Sequence, residues 1–452
     1  MTFGGRVYLG RAERGDVFAP PEVAVMLLGP PRSGKSSCVV MPNVASHAGA
    51  VVAASTKPDV LEATWRVRRD RGRCMLFDPS GTVQAPEGVE RVQWSPLVRS
   101  ADWDGAVSVA RAMVGGSHQH SSAGDSAHWT ERAEALLAPM FHAAALSGLT
   151  VAEACSWVER HDLGPALAIL ERWDAGVGAT VLEGIARTAS RERASIFSSA
   201  AGILAPYRSA SVRHPEAVET FDAAGFVDST ATLYVCAPGH HQALLAPLVV
   251  GAISDVRSAA YGRATRLVQA GAADGAASIL LALDEAANIA PLPDLPAIAS
   301  EGGSQGLLSL VCLQDLSQAR RRWGPAADGF FTLFGAKVVL AGINDRQTLE
   351  LISLLAGEEE AVVRSHSSNR SAGQRSGSVT VSLRTRPRMA PDAVAKGRPG
   401  RALLLRGAQP PSEVGMVPWP KILQASPPSR ARRLHPRVLS PRARREAGRE
   451  WA

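Results

Sequence analysis

At 452 residues, 46% hydrophobic and 20% charged, the chain has enough apolar mass for one large core or two to three ordinary domains, which excludes wholesale disorder. The net charge of +7 is unevenly placed: residues 430–452 hold eight arginines against Glu446 and Glu450, so the rest of the chain is close to neutral and a uniformly basic surface is excluded.

In chain order, a short β-like piece at 6–9 and a Pro20-Pro21 stop precede an apolar run at 23–28 that opens into Gly29-Pro30-Pro31-Arg32-Ser33-Gly34-Lys35-Ser36-Ser37. A helix is expected over 37–47, bent at Pro42, then a strand over 49–54 ending at Ser55-Thr56-Lys57-Pro58-Asp59. A basic helix over 60–70 and a strand over 73–77 follow. Strands alternating with helices at this interval predict an α/β fold with a mostly parallel sheet. From about 101 to 218 the strand signal disappears. A helix over 129–146 carries Leu136, Leu137, Met140, Phe141 and Ala144 on one side, Thr150 and Glu153 form a capping-box signature, and helical patterns continue over 166–173, 181–188 and 191–207. This predicts an inserted all-α domain. The sheet resumes over 231–236, a long helix covers 242–261, and strands cover 278–283, 307–313 and 335–341, with a helix over 345–355 and a last β piece at 402–405. Residues 365–378, rich in Ser, Gly and Arg, are expected to form a mobile loop. The expected domains are therefore 1–100 and 221–420, two parts of one nucleotide-binding domain, with 101–220 all-α and 421–452 a disordered basic tail.

The five cysteines, each in or beside an apolar run and none at metal-ligand spacing, suit buried thiols in a reducing compartment. The longest apolar stretch, 243–253, is too short to span a bilayer, so the chain as written is expected to be cytoplasmic.

The chemistry concentrates in two segments. A buried strand running into a glycine-rich turn lets consecutive backbone N–H groups curl around a polyphosphate. Lys35 would reach the β/γ-phosphates and Ser36 a magnesium ion, with the following helix presenting its positive end. Asp284-Glu285, closing the strand at 278–283, supplies a carboxylate able to hold the metal and a second able to orient a water for in-line attack. Alone, the pair could equally cap a strand. Gln314, at the end of the next strand, could report the γ-phosphate state or be a loop glutamine. Three weaker features have solvated readings beside the functional ones: His118, His120 and His128 as a metal site or a polar loop, Arg320-Arg321-Arg322-Trp323 as a contact with DNA or with a neighbouring subunit's phosphate or a basic helix end, and the arginine tail as a nucleic-acid or acidic-partner arm.

Taken in order, several segments resemble the coupling ATPases of type IV secretion and conjugation, the TraG/TraD type. These are the loop at 29–36 with Met41-Pro42-Asn43, Ser55-Thr56-Lys57-Pro58-Asp59, Phe77-Asp78-Pro79, Trp94-Ser95-Pro96-Leu97, Leu283-Asp284-Glu285-Ala286-Ala287-Asn288, Leu313-Gln314-Asp315-Leu316-Ser317-Gln318 and Gly342-Ile343-Asn344-Asp345. The resemblance implies a RecA-like P-loop NTPase interrupted by the all-α domain, ATP and Mg2+ at the interfaces of a homo-hexameric ring, and a channel for DNA. It implies binding of phosphate and metal by Lys35 and Ser36, Asp284 in the metal shell, Glu285 on the attacking water and Gln314 as γ-phosphate sensor. Single-stranded DNA, a relaxase or secreted protein, and a secretion channel or membrane-anchoring partner that recruits the chain to the inner face of the membrane are the implied partners. Two departures stand out. Family members usually begin with transmembrane helices, which this sequence does not show. Some carry an arginine that acts across the interface where this chain has Gly303, leaving Arg346 and Arg320 as candidates. The expected function is ATP-driven DNA and protein transfer; a non-translocating recruitment platform and a soluble FtsK/HerA-like translocase are the alternatives.

Overall fold

The structure, a computed structural model, describes residues 3, 5–117, 124–209, 212, 218–238, 242–272, 277–371 and 374–425. His118, His120 and the arginine tail lie outside them. The continuous apolar runs read from the sequence are strands whose every residue is buried, because helices cover both faces of the sheet. In chain order the strands are β1 (Tyr8–Ala12), β2 (Gly15–Phe18), β3 (Val25–Leu28), β4 (Val51–Ser55), β5 (Cys74–Phe77), β6 (Glu90–Gln93), β7 (Glu219–Thr220), β8 (Thr232–Cys236), β9 (Ile279–Leu283), β10 (Leu307–Leu313), β11 (Ala336–Leu340), β12 (Glu358–Ser371), β13 (Gln374–Pro387), β14 (Arg401–Arg406) and β15 (Ser412–Gly415). Thirteen of them form one sheet in the order β2-β1-β15-β14-β11-β3-β10-β9-β4-β8-β5-β6-β7. From β11 to β7 every neighbouring pair is parallel; the four strands beyond β11 are antiparallel. The fold is the expected α/β type, and β10 lies between β3 and β9, so the strands ending in Gly29, Gln314 and Asp284 stand side by side.

The helical block leaves the sheet after β6 and re-enters at β7, and these two strands pair with each other. Between them run helices Trp103–Ser117, Gly124–Leu146, Val151–Glu159, Gly164–Arg172, Gly176–Ala186 and Ser190–Ile203. The apolar side anticipated from Leu136, Leu137, Met140, Phe141 and Ala144 is fully buried. The capping box forms as expected, the Thr150 amide donating to Glu153 Oε2 at 2.7 Å.

Helix Gln242–Gln269 is longer than the sequence pattern indicated and packs against Trp103–Ser117. Among the described residues it alone has the length and composition to cross a membrane, but most of its apolar window is buried inside the protein. A core helix between sheet and helical block accounts for that composition. Its Gly251 and Asp255, one turn apart, both meet Trp94. A Cβ on Gly251 would come within 2.3 Å of the indole, and Asp255 Oδ2 accepts from the indole Nε1 at 2.7 Å. Burial pushes the Asp255 carboxyl up to about 6, against the opposing pull of Trp94 and Arg99. With the folded value above the ordinary 3.8, the native state holds the extra proton between those values. The contribution is therefore fully present below pH ~4 and is lost as pH rises through about 6, by at most about 3 kcal/mol. Thermal unfolding midpoints measured from pH 4 to 7 are expected to lose this downward component in Asp255→Asn, whose amide oxygen still accepts from Trp94.

One expectation is corrected. The loop expected at 365–378 belongs to β12 and β13, an antiparallel hairpin whose register runs from Glu358 opposite Pro387 to Ser371 opposite Gln374, and which forms a separate two-stranded sheet. The backbone ladder, not apolar alternation, makes it a strand pair. The expected basic helix is Asp59–Arg69. Arg68 is fully buried, its guanidinium donating to His47 O, Gly49 O, Thr230 O and Thr232 Oγ1, which closes carbonyls left open at the start of β4 and β8. All five cysteines are buried, and none forms a disulfide.

Candidate functional site

The loop after β3 is held by its neighbours. The Gly29 amide donates to Leu313 O at 3.2 Å, and a Cβ on Gly29 would come within 2.8 Å of Ser33 Oγ and 3.0 Å of Leu340 Cβ. Arg32 and Gly34 take positive φ, 63° and 95°, which turns the chain sharply enough to stack amides at the helix start. Pro30, Pro31 and Arg32 sit on the rim, Pro31 and Arg32 exposed, while Ser33 Oγ is buried without a hydrogen bond. The helix opens as a wide π-helical turn over Ser36–Val40, with Ser37 Oγ 3.7 Å from Cys38 Sγ, and becomes α-helical over Met41–Ser46. The change falls at Pro42, which has no N–H to continue the ladder. Asn43 explains part of the Met-Pro-Asn segment. Its amide group accepts from Tyr8 N at 2.7 Å and donates to Tyr8 O at 2.9 Å, pinning β1 to this helix as a strand partner would.

Lys35 is buried, and its ammonium donates to Gly29 O and to Pro30 O, the latter at 2.9 Å. Ser36 Oγ donates to Asp284 Oδ2 at 2.6 Å, joining positions 248 residues apart in the chain. Asp284 is 5% exposed, its Oδ1 is buried with no hydrogen bond, and burial pushes its carboxyl up to about 6. A hydroxyl and a half-satisfied carboxylate beside a phosphate cradle form a hard oxygen donor set, which fits Mg2+. Glu285 adopts a left-handed conformation (φ 61°, ψ 49°) at the start of the turn Ala286–Ile289. Its Oε2 lies 3.5 Å from Thr56 Oγ1 and accepts from Asn288 Nδ2 at 3.3 Å. Asn288 Oδ1 in turn meets Gln318 Nε2 at 3.4 Å, and Gln318 Oε1 accepts from the Gln314 amide at 3.0 Å. This relay from Thr56 to Gln314 was not read from the sequence, although Thr56, Asn288 and Gln318 all lie in the segments that carried the resemblance. The structure thus brings Lys35, Ser36, Asp284, Glu285 and Gln314 to the carboxyl ends of three adjacent strands, where ligands bind in open α/β sheets.

The weaker candidates do not join this group. His128 stacks edge-on against Trp129 and lies 4.0 Å from Glu192, and no group of three or more His, Cys, Asp or Glu able to hold a metal occurs among the described residues. Of Arg320–Trp323, Arg321 is exposed, as a basic helix end would be, whereas the last two residues turn inward. Trp323 is buried with its indole N–H on Leu292 O, and Arg322 donates to Gly116 O at 2.9 Å and to Gly115 O, its burial lowering the guanidinium to about 10. Arg320 is held by Asp328 and Asp345 of its own chain, whereas Arg346 is largely exposed and paired only with Glu350. Gly303 has no room for a side chain: a Cβ there would lie 1.8 Å from Glu22 O. Gly303→Arg is therefore expected to cost about 3 kcal/mol or more, read as a lowered urea midpoint, because backbone rather than a flexible side chain is in the way.

With the geometry in view, comparison with known proteins is direct. Residues 3–421 match the family model described as Type IV secretory system Conjugative DNA transfer. The chain belongs to that family. Among solved structures, the unbound form of the bacterial conjugative coupling protein TrwB superposes with a TM-score of 0.66 at 17% identity, covering 90% of this chain and 89% of that one. TrwB in complex with the non-hydrolysable ATP analogue ADPNP matches with a TM-score of 0.66 at 18% identity over 88% and 86% of the two chains. VirB4 of Thermoanaerobacter pseudethanolicus matches with a TM-score of 0.52 at 12% identity over 94% and 99%. These likenesses show the fold, a RecA-like P-loop architecture carrying an all-α domain. No curated protein matches the chain.

Proposed function

We propose that this family member is an ATP-hydrolysing coupling protein that drives transfer of single-stranded DNA and attached protein through a type IV secretion system, working as a homo-hexamer. The observation that carries it is the 2.6 Å hydrogen bond from Ser36 to Asp284, which places both halves of a nucleotide site at one point beside Lys35. TrwB, a protein of the same fold, has been solved with an ATP analogue and with ADP and Mg2+, which supports the choice of nucleotide and metal.

Backbone amides of residues 29–36 and the Lys35 ammonium would hold the phosphates, while the Ser36 hydroxyl and Asp284 carboxylate would hold Mg2+. The metal, when bound, neutralises charge on the transferring phosphoryl group. Glu285 would orient the attacking water, kept in place by Thr56 and Asn288. Gln314 would sense the γ-phosphate and pass its state through Gln318 and Asn288 to Glu285. The all-α domain would receive the substrate, and a membrane-anchored partner would bring the chain to the inner face of the membrane. A recruitment platform is the second reading, favoured by Gly303, which has no room for the interface arginine that the family resemblance would place there. ATP turnover measured with and without single-stranded DNA separates them. Stimulation by DNA supports the motor; nucleotide binding without turnover, or turnover indifferent to DNA, supports the platform.

A further inference from the structure

We propose that the hairpin β12–β13 is a DNA-binding arm that grips the phosphate backbone. The proposal rests on the reading above only for the identity of the polyanion. By ordinary strand rise, fourteen residues per strand make a ribbon about 45 Å long. It joins no other sheet, and Val362, Val379, Val381 and Leu383 are each more than half exposed. A lone two-stranded ribbon is marginal in water, so something other than a core justifies it.

The charge pattern identifies what that is. Residues 361–387 contain five arginines and no carboxylate, in a chain whose basic excess otherwise resides in 430–452. Arg386 is spent on Glu359 at the base, at 2.7 Å. Arg364 and Arg384 are exposed and pair with no carboxylate among the described residues. Towards the tip the register sets Arg370 directly opposite Arg375. A ribbon that carries unpaired arginines and no carboxylate suits the sequence-independent attraction of a phosphate backbone. A two-stranded ribbon also has dimensions that a DNA groove admits. Residues 358–387 include no Phe, Tyr or Trp, so there is no stacking platform for bases. Binding should therefore be indifferent to sequence and steep in salt. A second copy of the chain, docking on the exposed valines and Leu383, is the competing occupant.

The test uses the full chain, tail included, so that differences between variants read the arm alone. A fluorescein-labelled oligodeoxynucleotide, single-stranded or duplex, is titrated at increasing NaCl with wild type, with Arg364→Ala/Arg370→Ala/Arg375→Ala/Arg384→Ala, and with the same four positions changed to Lys. For the alanine variant the slope of log K against log salt is expected to become shallower by roughly 3 for single strands and slightly more for duplex, while the lysine variant restores it. Greater loss on one form names that form as the ligand. ATP turnover without DNA should be equal in all three. An unchanged slope in the alanine variant, or a lysine variant that stays as weak as alanine, overturns the arm while leaving the ATPase intact. A changed assembly mass by ultracentrifugation with the slope unchanged assigns the ribbon to contact between copies and also overturns it. A wild-type chain that binds neither form overturns both this proposal and the motor.

Discussion

Lys35→Ala is expected to lower ATP turnover about 100-fold or more and to abolish nucleotide-induced stabilisation. Lys35 is 6% exposed, and its ammonium is already aimed into the loop, bonded to Gly29 O and Pro30 O of the turn it belongs to. Phosphate oxygens would replace those carbonyls with little rearrangement, so the lysine contributes charge at a fixed point where negative charge accumulates. Alanine leaves two loop carbonyls without a donor, at a cost of about 1 kcal/mol each when buried. The apo protein should therefore melt only slightly earlier. The discriminating readout is the shift in melting temperature on adding Mg·ADP, several degrees for wild type and none for the variant. If the variant keeps both the shift and the turnover, the nucleotide lies elsewhere.

The elements around this site were legible because a parallel sheet covered on both faces demands uninterrupted apolar strands. β3, β4, β8, β9, β10 and β11 are buried at every residue, and β9 and β10 stop at the polar residues Asp284 and Gln314. The candidate site falls at these ends: Gly29, Asp284 and Gln314 follow directly on three such runs. The helical block was legible from the Leu136 to Ala144 stripe, but its point of insertion was not. β7 is only two exposed residues long, and its pairing with β6 is a long-range event that leaves no periodicity. The ribbon β12–β13 escaped for the opposite reason. Ser, Gly and Arg read as solvent-facing chain, and they are solvent-facing, but each strand satisfies the other's backbone. Arg68 and Arg322 show the same limit: a charged residue reads as surface until a cluster of open carbonyls makes a buried guanidinium the cheaper way to close them.

Glu285→Gln is expected to hold Mg·ATP with near wild-type affinity and to turn it over about 100 to 1,000-fold more slowly. The amide matches the carboxylate in size and can still meet Asn288, so the relay to Gln318 and Gln314 keeps its shape, but it cannot draw a proton from a water aimed at the γ-phosphate. Backbone strain gives an independent readout. Glu285 is left-handed at φ 61°, a conformation costing a non-glycine residue roughly 1 to 2 kcal/mol. Glu285→Gly should release part of that cost and melt later than wild type, while losing hydrolysis as fully as the glutamine variant. A carboxylate kept in a strained backbone is explained if its position over the phosphate matters more than the stability forgone. Glutamine or glycine variants that hydrolyse ATP at the wild-type rate would remove Glu285 from the reaction and leave the strain without a purpose.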